Sequence, residues 1–328
     1  MIEQLVSHHD WRWIAPAVLI CVLGLGTTFH LIATAGTQTG QRRRTTGILG
    51  AFIGGLAIFA THFASLQGEH WASSIRYDIP LTLASFIGGT GAIIAATMIV
   101  LGGQGWPRRL GAASLAYVGV VIIHFTGLAA VDLPGSLKFA LVPTLVYVAA
   151  GFGLAIATEC LFRGPGLKSH AATTVACVTI VLGLHFLAES AVTYVPSPAS
   201  ALAPVGVSAG VMTGIVVAIV AIILVVAGIA STTLWAARSS ALSHIREAIE
   251  AMPDGLAFFD AEDRLVLWNS RYAEINPELK TTLQAGQTFR QILQIGLDEG
   301  LYTDAKGRED DWIAERLAAR RQLSTTME

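Results

Sequence analysis

The chain has 328 residues, 53% hydrophobic and only 13% charged, with a mean hydropathy of +0.60. Average globular chains carry about 25% charge, so this composition excludes a wholly soluble domain and intrinsic disorder. The charge is uneven: residues 1–238 hold 11 Lys/Arg against 7 Asp/Glu, and residues 239–328 hold 10 against 16, so an apolar region precedes a small acidic one whose surface argues against a nucleic-acid partner.

A helix needs about 20 apolar residues to cross a bilayer. Seven stretches meet that length, at about 13–35, 46–66, 80–101, 110–131, 139–161, 171–192 and 207–236. Gly, Ala, Ser and Thr recur through them, the residues that let membrane helices approach closely, so a compact all-α seven-helix transmembrane bundle is expected. No basic n-region or A-x-A site marks the first stretch as a cleaved signal peptide. On one side the short connections carry Arg42, Arg43, Arg44, Arg108, Arg109, Arg163, Lys168 and Arg238; the other side has Arg12, Arg76 and Lys138. The positive-inside rule then puts the N-terminus outside and the C-terminus in the cytoplasm. Cys21, Cys160 and Cys177 are all in apolar stretches, an odd count that reads as buried small hydrophobes. The seventh stretch has no lysine, which excludes an opsin-type Schiff base.

A His-Phe pair recurs at His62-Phe63, His124-Phe125 and His185-Phe186, with separations of 62 and 61 residues. That period covers one helical hairpin, so the first six spans read as three two-helix repeats followed by a seventh helix. The last basic residue before each histidine (Arg44, Arg109, Lys168) lies 18, 15 or 17 residues earlier. At 1.5 Å per residue this is about 22–27 Å of helix, which sets all three histidines at one depth near the outer face. Ionisable residues inside a membrane are costly and mark function by default. Neutral imidazole is a ligand for copper, zinc and iron, so His62, His124 and His185 are candidate metal ligands with an open position. The plainer alternative is that each ring satisfies a neighbouring helix. Glu189 follows His185 by four residues on the same helix face. It is a fourth ligand, a partner orienting the ring, or a carboxylate reaching the interface. Asp132 is expected at the water interface, Glu69 and His70 in a solvated loop, and His30 toward the opposite end of the first span.

The three His-Phe segments resemble the MHYT sensor domain, a bacterial membrane module named for its Met-His-Tyr-Thr motif. The resemblance covers about residues 8–230. It includes His9-Asp10-Trp11-Arg12, Tyr77-Asp78-Ile79-Pro80-Leu81-Thr82 and, nearest to the motif, His124-Phe125-Thr126-Gly127-Leu128-Ala129-Ala130-Val131. It implies a multi-pass protein of the bacterial inner membrane that senses a diatomic gas, oxygen or redox state, with copper as the implied cofactor. The chain departs from the motif in one respect. Thr61, Ile123 and Leu184 stand where the motif has Met, and Leu66, Leu128 and Glu189 stand four residues after each histidine. Thioethers favour Cu(I). Without them the three histidines and Glu189 suit Cu(II), zinc or iron equally, and metal-free proton sensing is a further alternative.

Three regions are expected: a seven-span sensor domain over 1–236, a linker helix over 237–252 and a cytoplasmic α+β domain over 253–328. Leu242, Ile245 and Ile249 form a stripe on the linker. After the Pro253-Asp254-Gly255 turn, strands are expected at Leu256–Asp260 and Leu265–Asn269, then a helix around Tyr272, and a charged helix over Arg308–Arg321. Glu250-Ala251-Met252-Pro253-Asp254-Gly255-Leu256, Phe259-Asp260, Arg264-Leu265 and Trp268-Asn269 with Tyr272 resemble the start of a PAS domain, here incomplete, with Phe259 and Trp268 as core residues. In such proteins a histidine kinase or cyclic-di-GMP module usually follows, but neither those motifs nor a Walker motif occurs in this sequence. The resemblance therefore implies a signal-sensing input region whose partners are the lipid bilayer, a second copy of the chain and a downstream output module. The rival readings are a proton- or ion-coupled transporter and a membrane hydrolase with His-bound metal and Glu189 as base.

Overall fold

A computed structural model describes residues 10–69, 75–103, 105–161, 167–196, 206–275 and 282–325, and the chain divides into two compact units, Met1–Thr232 and Thr233–Glu328. His8, His9, His70 and Arg163 lie outside the described residues, as do the side chains of Trp11, Cys160, Lys168, Arg238 and Leu242.

The first unit contains seven helices long and apolar enough to cross a membrane among the described residues. They are α1 (Trp11–Thr37), α2 (Gly40–Leu66), α3 (Ile79–Leu101), α4 (Trp106–Ala129), α5 (Leu141–Leu161), α6 (Leu167–Glu189) and α7, which runs Ala209–Glu250. Consecutive helices pack as the hairpins α1–α2, α3–α4 and α5–α6, matching the period of the histidines. Local chemistry fixes where they begin. Asp10 caps α1 by accepting from the Arg12 N–H at 3.0 Å, and Asp78 caps α3 by accepting from the Leu81 N–H at 2.8 Å. Pro80 stands in the first turn of α3, where its missing donor costs nothing.

Helix α2 is the buried centre of the bundle. Lipid gives little hydrophobic drive between helices, so packing depends on small residues that let backbones meet. The α3–α4 crossing shows this: a Cβ on Gly89 would stand 2.8 Å from the Gly119 carbonyl oxygen, and one on Gly119 would stand 2.7 Å from that of Gly89. Large apolar residues such as Leu83, Ile87, Leu141, Val142 and Val225 are left exposed, as a bilayer-facing surface requires.

The connections at the histidine end of the bundle form small sheets that the sequence did not disclose. Strands β1 (Arg76–Tyr77), β2 (Val131–Asp132) and β5 (Val207–Ser208) pair antiparallel in the order β2-β1-β5. Strands β3 (Gly135–Phe139) and β4 (Val192–Pro196) form a second ribbon, from Gly135 opposite Pro196 to Phe139 opposite Val192. Asp132, expected at the water interface, sits half-buried on β2 opposite Arg76. Backbone bonds tie this cap to the helices: Asp78 N–H to Ala130 at 2.8 Å, and Ala140 N–H to Ala191 at 2.9 Å.

The second unit contains the end of α7 and a hairpin of β6 (Ala257–Phe259) and β7 (Leu265–Trp268). Helices α8 (Ser270–Ile275), α9 (Phe289–Asp298) and α10 (Glu309–Thr325) follow. Leu265, Ala273, Leu283 and Ile292 form one core cluster, against which Phe259 and Trp268 pack. Leu293, Ala305, Trp312 and Ile313 form another. Fully burying a side chain of the Leu or Ile size contributes about 1.5–3 kcal/mol in water. Arg320 fastens α10 to the hairpin: its guanidinium lies 4.1 Å from the Phe259 ring centre and 4.2 Å from that of Phe289, and its Nε donates to Asp263 Oδ1 at 3.0 Å.

Candidate metal centre

The three histidines sit near the C-terminal ends of α2, α4 and α6, four to five residues before each helix stops. The helices run parallel in sense, so equal sequence phase becomes equal depth and the rings meet. One donor atom from each of His62, His124 and His185 lies within 4.8 Å of the others. Ring centres are 5.2, 5.2 and 5.4 Å apart, with interplanar angles of 77°, 89° and 86°. His62 Nδ1 and His185 Nδ1 are 3.3 Å apart. Two imidazoles on one ion at about 2 Å would span a similar distance. The rings are 4%, 3% and 4% exposed.

Their environment is apolar. Each ring meets its own following phenylalanine edge-on, at 5.0 Å for Phe63, 4.8 Å for Phe125 and 5.1 Å for Phe186. Phe63 in turn packs against Tyr77, which is fully buried on β1. The Tyr77-Asp78-Pro80 segment thus positions the site: Tyr77 supports the ring beside His62 while Asp78 and Pro80 start α3.

Among the described residues, His62 Nε2 and both ring nitrogens of His124 have no hydrogen-bond partner. A buried polar atom without a partner costs about 1–3 kcal/mol, so several in one place favour a bound group that satisfies them. Three converging imidazole donors of borderline softness fit a first-row transition metal.

Glu189 is buried at 9% exposure and lies outside the mutually close set of donors. Its Oε2 is 3.3 Å from His185 Nε2, while the other nitrogen of that ring faces His62. This is the arrangement of a carboxylate that orients a ligand imidazole. Sequence reasoning missed Gly127, three residues after His124. A Cβ there would stand 2.5 Å from His62 Nε2 and 2.7 Å from its Cδ2, so only glycine leaves room for the ring against α4. The Gly following Phe125-Thr126 was the available signal. His30 stays on α1 toward the opposite end, and Glu69 is half-buried after α2.

Known proteins resolve the kind of chain this is. Residues 55–113 match the MHYT family, described as the bacterial signalling protein N terminal repeat, and residues 249–328 match a PAS fold. The chain carries an MHYT repeat and a PAS fold. The chain is 25% identical over 261 residues to an uncharacterized signaling protein of Caulobacter vibrioides, covering 78% of this chain and 32% of that protein. It is 23% identical over 205 residues to the bifunctional diguanylate cyclase/cyclic di-GMP phosphodiesterase MucR of Pseudomonas aeruginosa, covering 57% of this chain and 28% of that protein. It is 30% identical over 122 residues to the cyclic di-GMP phosphodiesterase NbdA of the same organism, covering 36% and 15%. The chain thus spans about a third or less of each relative's length. No solved structure matches it significantly. The MHYT and PAS assignments and the seven spans describe a multi-pass membrane protein with a signalling role.

The PAS match begins at Ile249, where α7 meets its principal polar anchor. Asn269 is fully buried, and every hydrogen-bonding group of its side chain is used. Nδ2 donates to the carbonyls of Ile249 at 3.1 Å and Asp254 at 2.9 Å, and Oδ1 accepts from the N–H groups of Leu256 at 2.8 Å and Tyr272 at 3.0 Å. Glu250 Oε2 accepts from the Ser270 N–H at 2.8 Å and its hydroxyl at 2.5 Å. These two bonds hold the Glu250 carboxyl below its ordinary value. The end of α7 is therefore joined by directional bonds to the PAS hairpin and to α8.

Proposed function

We propose that the chain is the membrane input region of a bacterial signalling protein, in which His62, His124 and His185 hold a transition metal and Glu189 orients His185. The observation that carries this reading is the meeting of three buried imidazoles, of which His62 Nε2 and both ring nitrogens of His124 have no hydrogen-bond partner among the described residues. Copper is the first choice because the MHYT resemblance implies it, with zinc or iron as the alternatives because imidazole serves all three. When bound, the metal would supply an open coordination position for a diatomic gas, or a redox change. The chain's own residues hold the rings at fixed angles, exclude water with Phe63, Phe125 and Phe186, and keep the His185 ring turned by Glu189. The metal or its ligand shifts the bundle only if it binds two helix arrangements with different affinity. Helix α7, bonded through Ile249 to Asn269 and through Glu250 to Ser270 at the start of α8, is the relay.

The arginine-rich connections support an N-terminus outside the inner membrane, a cluster near the outer leaflet and a cytoplasmic PAS unit. Two of the three relatives bear names of cyclic-di-GMP enzymes, so a downstream cyclic-di-GMP module is the first choice of output and a histidine kinase the second. Ile245, 57% exposed on α7, supports pairing with a second copy. The test is His124→Ala in the full-length protein, with metal content and cellular cyclic-di-GMP measured together. Loss of the metal with an output that ignores metal depletion is expected. Wild-type values of both would overturn the assignment.

A further inference from the structure

Below the histidines lies a second feature that the metal centre does not explain. A cavity of about 640 Å³ opens among α1 to α6, within the size range of small-molecule sites. Its upper limit is set by Ile58, Val120 and Val181, each four residues before one of the three histidines. It therefore ends one helical turn beneath the cluster. Its other end reaches Arg109 in the first turn of α4, eleven residues before Val120 and so about 16 Å along the helix axis.

The sequence explains the space. Helix α4 turns Ala112 and Ala116 toward the cavity, and α5 contributes Ala155. Nearer the cluster, Tyr117 closes the gap between α4 and α5: its hydroxyl donates to the Val148 carbonyl at 2.9 Å. The wall is mostly aliphatic. Its threonines at 28, 97 and 158 spend their hydroxyl protons on carbonyls of their own helices. Arg109 differs. It is half-buried, and its guanidinium makes no hydrogen bond or ion pair among the described residues. A guanidinium at the mouth of an apolar space is a site for a carboxylate or phosphate. Glu159 lines the same end but already has an interaction of its own.

We propose that this cavity binds an anionic amphiphile, with its acidic head on Arg109 and its hydrocarbon chain reaching the floor of the histidine cluster. Occupancy would be felt at the cluster through Ile58, Val120 and Val181, which are one turn from the ligand rings. The assignment does not depend on whether the histidines hold a metal. A fatty acid and a bilayer phospholipid share the required chemistry.

The test uses the full chain in phosphatidylcholine nanodiscs, titrated with laurate and with dodecanol, which has the same chain but no charge. Saturable one-to-one laurate binding is expected, with dodecanol weaker by roughly tenfold. Arg109→Gln should remove that difference. Ala116→Phe should fill the space and weaken both probes by roughly tenfold or more. Ala155→Leu, a smaller change on another helix, serves the same purpose should the first variant fail to fold. Adding phosphatidylglycerol to the discs identifies the source: competition with laurate assigns the site to bilayer lipid, and unchanged binding assigns it to free fatty acid. Non-saturable laurate binding, equal binding of laurate and dodecanol, or binding unmoved by both cavity variants would overturn the proposal.

Discussion

The bundle and the PAS unit both bury polar side chains, and they treat them differently. In the PAS unit Asn269 is fully buried with every donor and acceptor of its amide engaged by backbone groups. In the bundle, His62 and His124 are buried as well, yet three of their ring nitrogens find no partner among the described residues. A satisfied buried amide is part of the architecture. A group of unsatisfied imidazoles is a cost that the fold carries for some other purpose. The second contrast lies in packing. The PAS unit has conventional apolar clusters that water drives together, whereas the bundle exposes much of its apolar surface and relies on close backbone approach.

This comparison can be broken most decisively by exchanging the consequences. Asn269→Ala leaves the Leu256 N–H and two carbonyls without their side-chain partner and should cost about 2–4 kcal/mol. Amide exchange of the PAS segment in the full chain measures it, and the metal content of the bundle should stay at the wild-type value. His124→Ala should do the reverse: metal is lost, while amide exchange of the PAS segment stays at the wild-type value.

Two smaller changes sharpen the picture of the site. Gly127→Ala drives a methyl group into the His62 ring and should lower metal affinity by roughly tenfold to a hundredfold. Glu189→Gln keeps the shape but removes the carboxylate behind His185, and an effect within the same range of about 10–100-fold is expected. Competition with a chelator of known affinity measures both. If Gly127→Ala bound metal as the wild type does, His62 would not be a ligand in the orientation seen.

The smallest effect concerns pH. Ser270 holds the Glu250 carboxyl below its ordinary value, so the folded pKa is the lower one. The bond's contribution is then complete above about pH 4.3, the unfolded value, and is lost as pH falls through the folded one. Glu250→Gln should remove this acid sensitivity from amide exchange at Ser270 and leave neutral pH almost unaffected.

Much of this was legible in the chain. The histidine period gave the three hairpins and the common depth, because a fixed phase on parallel helices needs no tertiary information. Capping residues Asp10 and Asp78 lie in two of the segments that carry the family resemblance. Other features carry no such signal. Strands of two residues, such as Arg76–Tyr77, have no periodicity to read. Gly127 is one of 33 glycines, and its clearance for His62 depends on how α2 crosses α4. The cavity is missing volume among six helices, and no local pattern encodes it. Helix α9 is a different case: Thr288 and Gln291 form its capping box, a signature that the sequence itself carries.

The central claim is that the three histidines form one shared metal site. Elemental analysis of the detergent-purified protein beside its His62→Ala/His124→Ala/His185→Ala variant tests it directly. One equivalent of copper, zinc or iron in the wild type and none in the variant is expected. No metal in either after reconstitution with all three ions, or equal metal in both, would contradict the account.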